Sequence, residues 1–174
     1  MSHLTKVKTS ITDRELVIKT IKHLGISPVE LDDKISFTHR AYGKNWKMSF
    51  TETSEGFTFN GESDFYSYHF LPGYIYQVIY QKMSQAAQFT GKLIEVNRSY
   101  NNVGGMTVIY RSEMGQTINF VIDAATNIEV KTEGFTGTNC LSATTGIIAA
   151  LGSIENQTLT TTPDAPDLLN QISY

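Results

Sequence analysis

The single cysteine of this chain, Cys140, follows Gly134-Phe135-Thr136-Gly137-Thr138-Asn139 and opens an apolar run that ends at Leu151-Gly152. A thiol in the first turn of a helix lies among unpaired amides at the positive end of the macrodipole, which favours the thiolate. The chemistry on offer is nucleophilic or redox. A nucleophile also needs a base, and His3, His23, His39 and His69, the only histidines, are all distant in sequence. Without triad-like spacing, the plainer reading of Cys140 is a small buried apolar residue. Gly137, Thr138 and Asn139 could also cradle an anion on backbone amides. They lack the lysine and hydroxyl pair of a phosphate-binding loop. The plainer reading is a strand-to-helix turn with Thr138 or Asn139 as N-cap.

A second set of residues suggests recognition rather than reaction. Phe65, Tyr66, Tyr68, Phe70, Tyr74, Tyr76 and Tyr80 straddle the entry to a helical pattern. Tyrosine is large, stiff and amphipathic, which suits a partner surface. By spacing, Tyr76 and Tyr80 face a core, leaving Tyr66, Tyr68 and Tyr74 as the partner-binding candidates. Arg98 and Arg111 either bind acidic groups or pair with the carboxylates after residue 112. Four scattered histidines and one cysteine give no metal-ligand spacing, so no metal site is expected.

The elements that must position these residues read as α+β. Val7, Thr9 and Ile11 alternate with Lys6, Lys8 and Ser10 as a half-buried strand. Thr12-Asp13-Arg14-Glu15 matches a capping box, Val17, Ile21 and Leu24 follow at helical spacing, and Gly25 suits the C′ position. From Lys34 to Phe70 alternation at Ile35 and Phe37, at Trp46, Met48 and Phe50, and at Phe57 and Phe59 predicts an antiparallel meander. Its turns fall at Tyr42-Gly43-Lys44-Asn45, Ser54-Glu55-Gly56 and Asn60-Gly61, the last a hairpin signal. Leu71-Pro72-Gly73 punctuates the chain before a second helix with Tyr76, Ile79, Tyr80, Met83 and Ala87 as its apolar stripe. Strands follow at Leu93 to Val96, at Met106 to Arg111 and, after a turn at Met114-Gly115, at Ile118 to Ile122. Asp123 to Asn127 connects as a hairpin into Ile128, Val130 and Thr132. The third helix places Leu141, Thr144, Ile148 and Leu151 on one face. The Thr- and Pro-rich stretch from Thr158 reads as too polar to pack much. Antiparallel sheets with three main helices are therefore expected, the last helix in a β-hairpin–helix module.

Composition bounds the function classes. At 40% hydrophobic and 18% charged residues the 174-residue chain is of ordinary globular composition. No stretch approaches the roughly 20 apolar residues of a membrane span, and the opening Met1-Ser2-His3-Leu4-Thr5-Lys6 lacks a signal-peptide core. One cysteine fits a reducing compartment, so a cytoplasmic protein is expected. Residues 1–112 carry 13 Lys/Arg against 10 Asp/Glu, net +3, while residues 113–174 carry 1 against 7, net −6. The sign change, beside the turn at Ser112 to Gln116, predicts a basic module over 1–112, an acidic one over 113–160 and a tail over 161–174. The basic residues form no run, which keeps nucleic-acid binding through the first module a minor alternative.

Met1-Ser2-His3-Leu4-Thr5, the strand ending at Thr9 and the helix closing at Leu24-Gly25 resemble the hypothetical chloroplast reading frame thirty-five family of cyanobacteria and plastids. The second helix, the strands after it and Arg111 continue that pattern over residues 1–112. Gly137-Thr138-Asn139-Cys140, Thr144 and Leu151-Gly152 resemble a smaller uncharacterised companion family, which makes the chain look like a fusion of the two. Glu62-Ser63-Asp64-Phe65-Tyr66 matches the first family's aspartate-aromatic segment only loosely. The resemblance implies an accessory or adaptor protein without a bound cofactor, with a ring-forming ATPase or a ferredoxin-like protein as partner. A plastid-encoded copy would lie in the stroma. The alternatives are a Cys140-dependent enzyme or redox-responsive protein, and a nucleic-acid binder.

Overall fold

The computed structural model describes residues 2–85, 94–100, 105–123, 127–135, 139–160 and 172–173. The chain forms two compact units, one of residues 10–78 and one of residues 1–9 with 79–174. The α+β class holds, with two antiparallel sheets and three α-helices among the described residues.

The larger unit is built on a seven-stranded sheet. It comprises β1 (Ser2–Thr9), β6 (Ile94–Tyr100), β7 (Met106–Arg111), β8 (Thr117–Ile122), β9 (Asn127–Glu133), β10 (Gly152–Thr160) and β11 (Ile172–Ser173), in the order β11-β10-β1-β9-β8-β7-β6. Strand β1 is antiparallel to both β9 and β10, so Val7 lies beside Ile128 and Ile154. Alternation places Thr5, Val7, Phe120, Ile122, Ile128 and Val130 on one fully buried face. Thr5 tolerates this because Gln157 Nε2 donates to its hydroxyl at 3.1 Å. Helix α3 (Asn139–Leu151) packs against β1 and β10 and buries Thr144, Ile147, Ile148 and Leu151.

The start of the stretch expected to be too polar to pack, Thr158–Thr160, is the end of β10. Ile154, Thr158 and Thr160 are good strand formers, and pairing with β1 along the whole strand outweighs its low hydrophobicity. Ser112 to Gln116 is the β7–β8 hairpin turn, closed by Ser112 N–H donating to the Gln116 carbonyl at 2.9 Å. Strands from both sides of residue 112 thus share one sheet. The charge contrast along the chain does not separate the units: residues 10–78 hold 7 Lys/Arg against 9 Asp/Glu, net −2, and the rest 7 against 8, net −1.

The unit of residues 10–78 holds α1 (Arg14–His23) and a four-stranded meander, β2 (Val29–Glu30), β3 (Lys34–Ala41), β4 (Lys44–Thr53) and β5 (Gly56–Asn60). A helical segment follows, beginning with a π-helical stretch (Phe65–Phe70) that runs directly into α2 (Leu71–Gln85). Helix α1 ends in a Schellman motif at Gly25 (φ 77°), with Gly25 N–H to Lys22 C=O and Ile26 N–H to Ile21 C=O. Its N-cap is Asp13 rather than Thr12, and Asp13 Oδ1 accepts from Leu16 N–H at 3.1 Å. The capping box fails because the Thr12 N–H that Glu15 would need is bound to the Tyr74 hydroxyl.

Leu71-Pro72-Gly73 does not break the chain; helix runs through it. Leu71 N–H donates five residues back to Tyr66 C=O. Pro72 has no N–H, and in a regular α-helix its ring would press on the carbonyl of residue 68. A wider π turn just before it accommodates both facts. The buried stripe of α2 is Leu71, Tyr74, Ile75, Val78, Ile79 and Met83, while Tyr80 is 52% exposed and Tyr76 half-buried. The expected stripe was rotated because an i, i+3, i+4 pattern fits either set, and Ala87 lies outside the described residues.

Asn60-Gly61 is not a hairpin turn, since the chain leaves β5 there and enters the helical segment. Gly61 serves close packing instead: a Cβ there would lie 2.7 Å from Phe59 Cζ and 2.8 Å from Met48 Cγ.

Candidate functional site

Registers set what the four-stranded sheet presents. Ile35 pairs with Phe50, Phe37 with Met48 and His39 with Trp46, so these six share one face. The helical segment covers that face at one end. Phe65 lies 5.6 Å from Phe37 and 4.9 Å from His39, and Phe70 lies 4.4 Å from Phe50, ring centre to ring centre. Tyr66 stacks on Phe59 at 5.0 Å and on Phe70 at 6.0 Å.

Cover runs out towards the β3–β4 turn. His39 is half-buried, His69 is exposed with its ring 6.4 Å from that of His39, and Trp46 is 38% exposed. The turn itself is Tyr42-Gly43, with φ of 52° and 72°, between the paired residues Ala41 and Lys44. Two left-handed residues in a two-residue hairpin loop are the type I′ arrangement, whose twist matches the strands. Asn, Asp or Gly normally occupies the first position; a tyrosine there carries backbone strain. Tyr42 is 96% exposed, so packing within the chain does not compensate for that strain. Towards this end of the hairpin His39 pairs with Trp46, and His69 of the helical segment lies beside His39.

Of the expected partner-binding tyrosines, Tyr68 is 53% exposed and next in sequence to His69. Tyr66 is half-buried in the ring stack, and burial, followed by the neighbouring Tyr74, raises its pKa above the ordinary value. Tyr74 is not a surface residue: it is fully buried, and its hydroxyl accepts from Thr12 N–H at 3.2 Å and Asp13 N–H at 3.3 Å. Burial also raises its pKa, against the lowering effect of those two N–H donors. Sequence reasoning passed over Tyr42, Trp46 and His39. The signal was present in Tyr42-Gly43, an aromatic where a hairpin turn wants a residue tolerant of positive φ.

Cys140 is the second residue of α3 and Asn139 the first, while Gly137 and Thr138 lie outside the described residues. Gly134, at φ 79°, has a clear structural task, since a Cβ would come within 2.9 Å of the Gly115 carbonyl oxygen. Phe135 beside it is buried. Among the described residues, no group of three or more His, Cys, Asp or Glu is placed to hold a metal ion. Among the same residues, no helix is long and apolar enough to cross a membrane.

The sheet's opposite face differs in kind. Lys34, Arg40 and Lys47 alternate there with hydroxyl and amide side chains, and the strand carboxylates Glu30 and Glu52 fall on the other face. An open concavity of about 650 Å³ crosses this surface, with Lys34, Thr38, Lys47, Ser49 and Asn60 in its lining.

Residues 118–162, spanning β8, β9, α3 and β10, match the profile of a family described as "Protein of unknown function (DUF2997)". No curated protein matches the chain, and no solved structure matches it.

Proposed function

We propose that the chain is an accessory or adaptor protein that acts by binding another protein, with the free end of the β3–β4 hairpin as its contact surface. The observation that supports this is Tyr42, held in a strained left-handed conformation while 96% exposed. A strained exposed aromatic at the turn, with the part-exposed Trp46 and His39 on the strands of the same hairpin, has the composition of an interface centre.

The resemblance of residues 1–112 to the chloroplast reading frame family, and of residues 113–160 to its companion, supplies the candidate partners. These are a ring-forming ATPase and a ferredoxin-like protein, in the cytoplasm or in the stroma of a plastid. The test is quantitative affinity capture from the native host, with the wild-type chain beside folded Tyr42→Asn and Trp46→Ala variants. A partner that the wild type retains and both variants lose supports the reading. Equal recovery by all three, or recovery of no partner, sinks it.

A further inference from the structure

The outer edge of the four-stranded sheet is only partly paired. Strand β2 covers β3 at Ile35 and Ser36 and no further, although β3 continues to Ala41. The direction of the backbone groups follows from one end of this ladder. Leu31 N–H donates to Lys34 C=O at 2.8 Å, so the main-chain groups of Lys34 point towards the β2 side. Antiparallel strands alternate, so Ser36, Thr38 and Arg40 point the same way. Val29 answers Ser36. Beyond it the chain turns off at Ser27-Pro28, and among the described residues no strand answers Thr38 or Arg40. Both residues are exposed.

That edge borders the basic face. Thr38 pairs with Lys47 and Arg40 with Asn45, which places the side chains of Lys34, Thr38, Arg40 and Lys47 on one surface. A strand added beside β3 would lie about 4.8 Å from it and twice that from β4, within reach of an extended lysine from Lys47. We propose that the Thr38–Arg40 edge docks an extended acidic segment of a partner protein as an added strand. Its backbone would pair with Thr38 and Arg40, and its carboxylates on alternate positions would meet Arg40 and Lys47. This rests on the adaptor reading and gives that reading a partner chemistry. Single-stranded nucleic acid fits less well, because no aromatic side chain of β3 or β4 lies on this face to stack a base. The bland account is that Arg40 only guards an open edge against unwanted pairing.

Purified full-length chain titrated with fluorescent peptides separates these accounts. The probes are an alternating Glu-Val decapeptide, its Lys-Val counterpart, a Glu-Val peptide with proline at two central positions, and an oligo-dT of similar charge. The Glu-Val peptide should bind, and with salt-dependent affinity. The proline version should bind about tenfold more weakly because it lacks ladder donors. Arg40→Glu with Lys47→Glu should also weaken it about tenfold or more. Amide signals of Thr38 and Arg40 should shift on binding. Equal binding of the proline peptide or of oligo-dT overturns the proposal, as does the absence of Glu-Val binding to chain shown folded by circular dichroism. If instead Tyr42 and Trp46 prove irrelevant to capture while the peptide still docks, the hairpin-end surface fails and the edge site stands.

Discussion

The hydroxyl of Tyr74 accepts a hydrogen bond from the backbone N–H of Asp13, 61 residues earlier, at 3.3 Å. One side chain of α2 thereby holds the first turn of α1, and it takes the Thr12 N–H as well, at 3.2 Å. In Tyr74→Phe the ring still fills its place while two part-buried donors lose their acceptor. The expected loss is about 1–2 kcal/mol. Urea unfolding followed by circular dichroism checks this: the midpoint falls and the slope stays the same.

Alkaline pH should act through the same residue. Burial raises the pKa values of Tyr74 and Tyr66 above 10.0. Both are neutral in folded and unfolded chains below about pH 10, where their contribution to stability is full. Above it, the unfolded chain releases these protons first, and stability falls as pH rises through the folded values. Urea midpoints between about pH 9 and pH 11 should therefore decline, and Tyr74→Phe should decline less steeply. A slope unchanged by the substitution would remove Tyr74 from the explanation.

Tyr42→Asn sets stability against function. Asparagine tolerates the left-handed region better, so the variant should gain about 1 kcal/mol. Thermal or urea unfolding measures the gain, and the capture experiment measures the accompanying loss of partner. A stabilised variant that keeps its partner would leave the strain at Tyr42 unexplained.

Two glycines should respond with opposite signs. Gly134→Ala adds a Cβ 2.9 Å from the Gly115 carbonyl oxygen at a φ of 79°, and should cost about 2 kcal/mol or more. Gly146 lies exposed within α3, with nothing within 4 Å of an added Cβ. There, alanine should stabilise by about 0.5–1 kcal/mol through helix propensity. Paired unfolding curves settle both, and a neutral Gly134→Ala would dissolve the structural reading of that glycine.

Elements with strong local signals were legible in the sequence. The α1 stop at Gly25, the Ile35/Phe37 and Met48/Phe50 alternation and the β8–β9 hairpin all follow from residue type and spacing. What was not legible depends on distant partners. Asp13 replaces Thr12 as cap because Tyr74 arrives from elsewhere in the chain. Strand β10 has little hydrophobic pattern and owes its order to β1. The α2 stripe was misread because tyrosine is as much at home on a surface as in a core, so Tyr74 and Tyr80 exchanged roles. The hairpin-end surface escaped notice for a different reason: Tyr42 becomes informative only once its φ is known.

Strand β1 lies between β9 and β10, and its partners are encoded more than a hundred residues later. On a ribosome, this sets an order of events. Residues 10–78 emerge with their own sheet and α1 complete, whereas β1 must wait until Asn127–Glu133 has been made before it pairs with β9. During that interval a strand with both edges open is exposed to other chains, and loop closure over such a span is slow. A vulnerable step in producing this protein is therefore the wait of β1 for β9, and slower elongation would lengthen it.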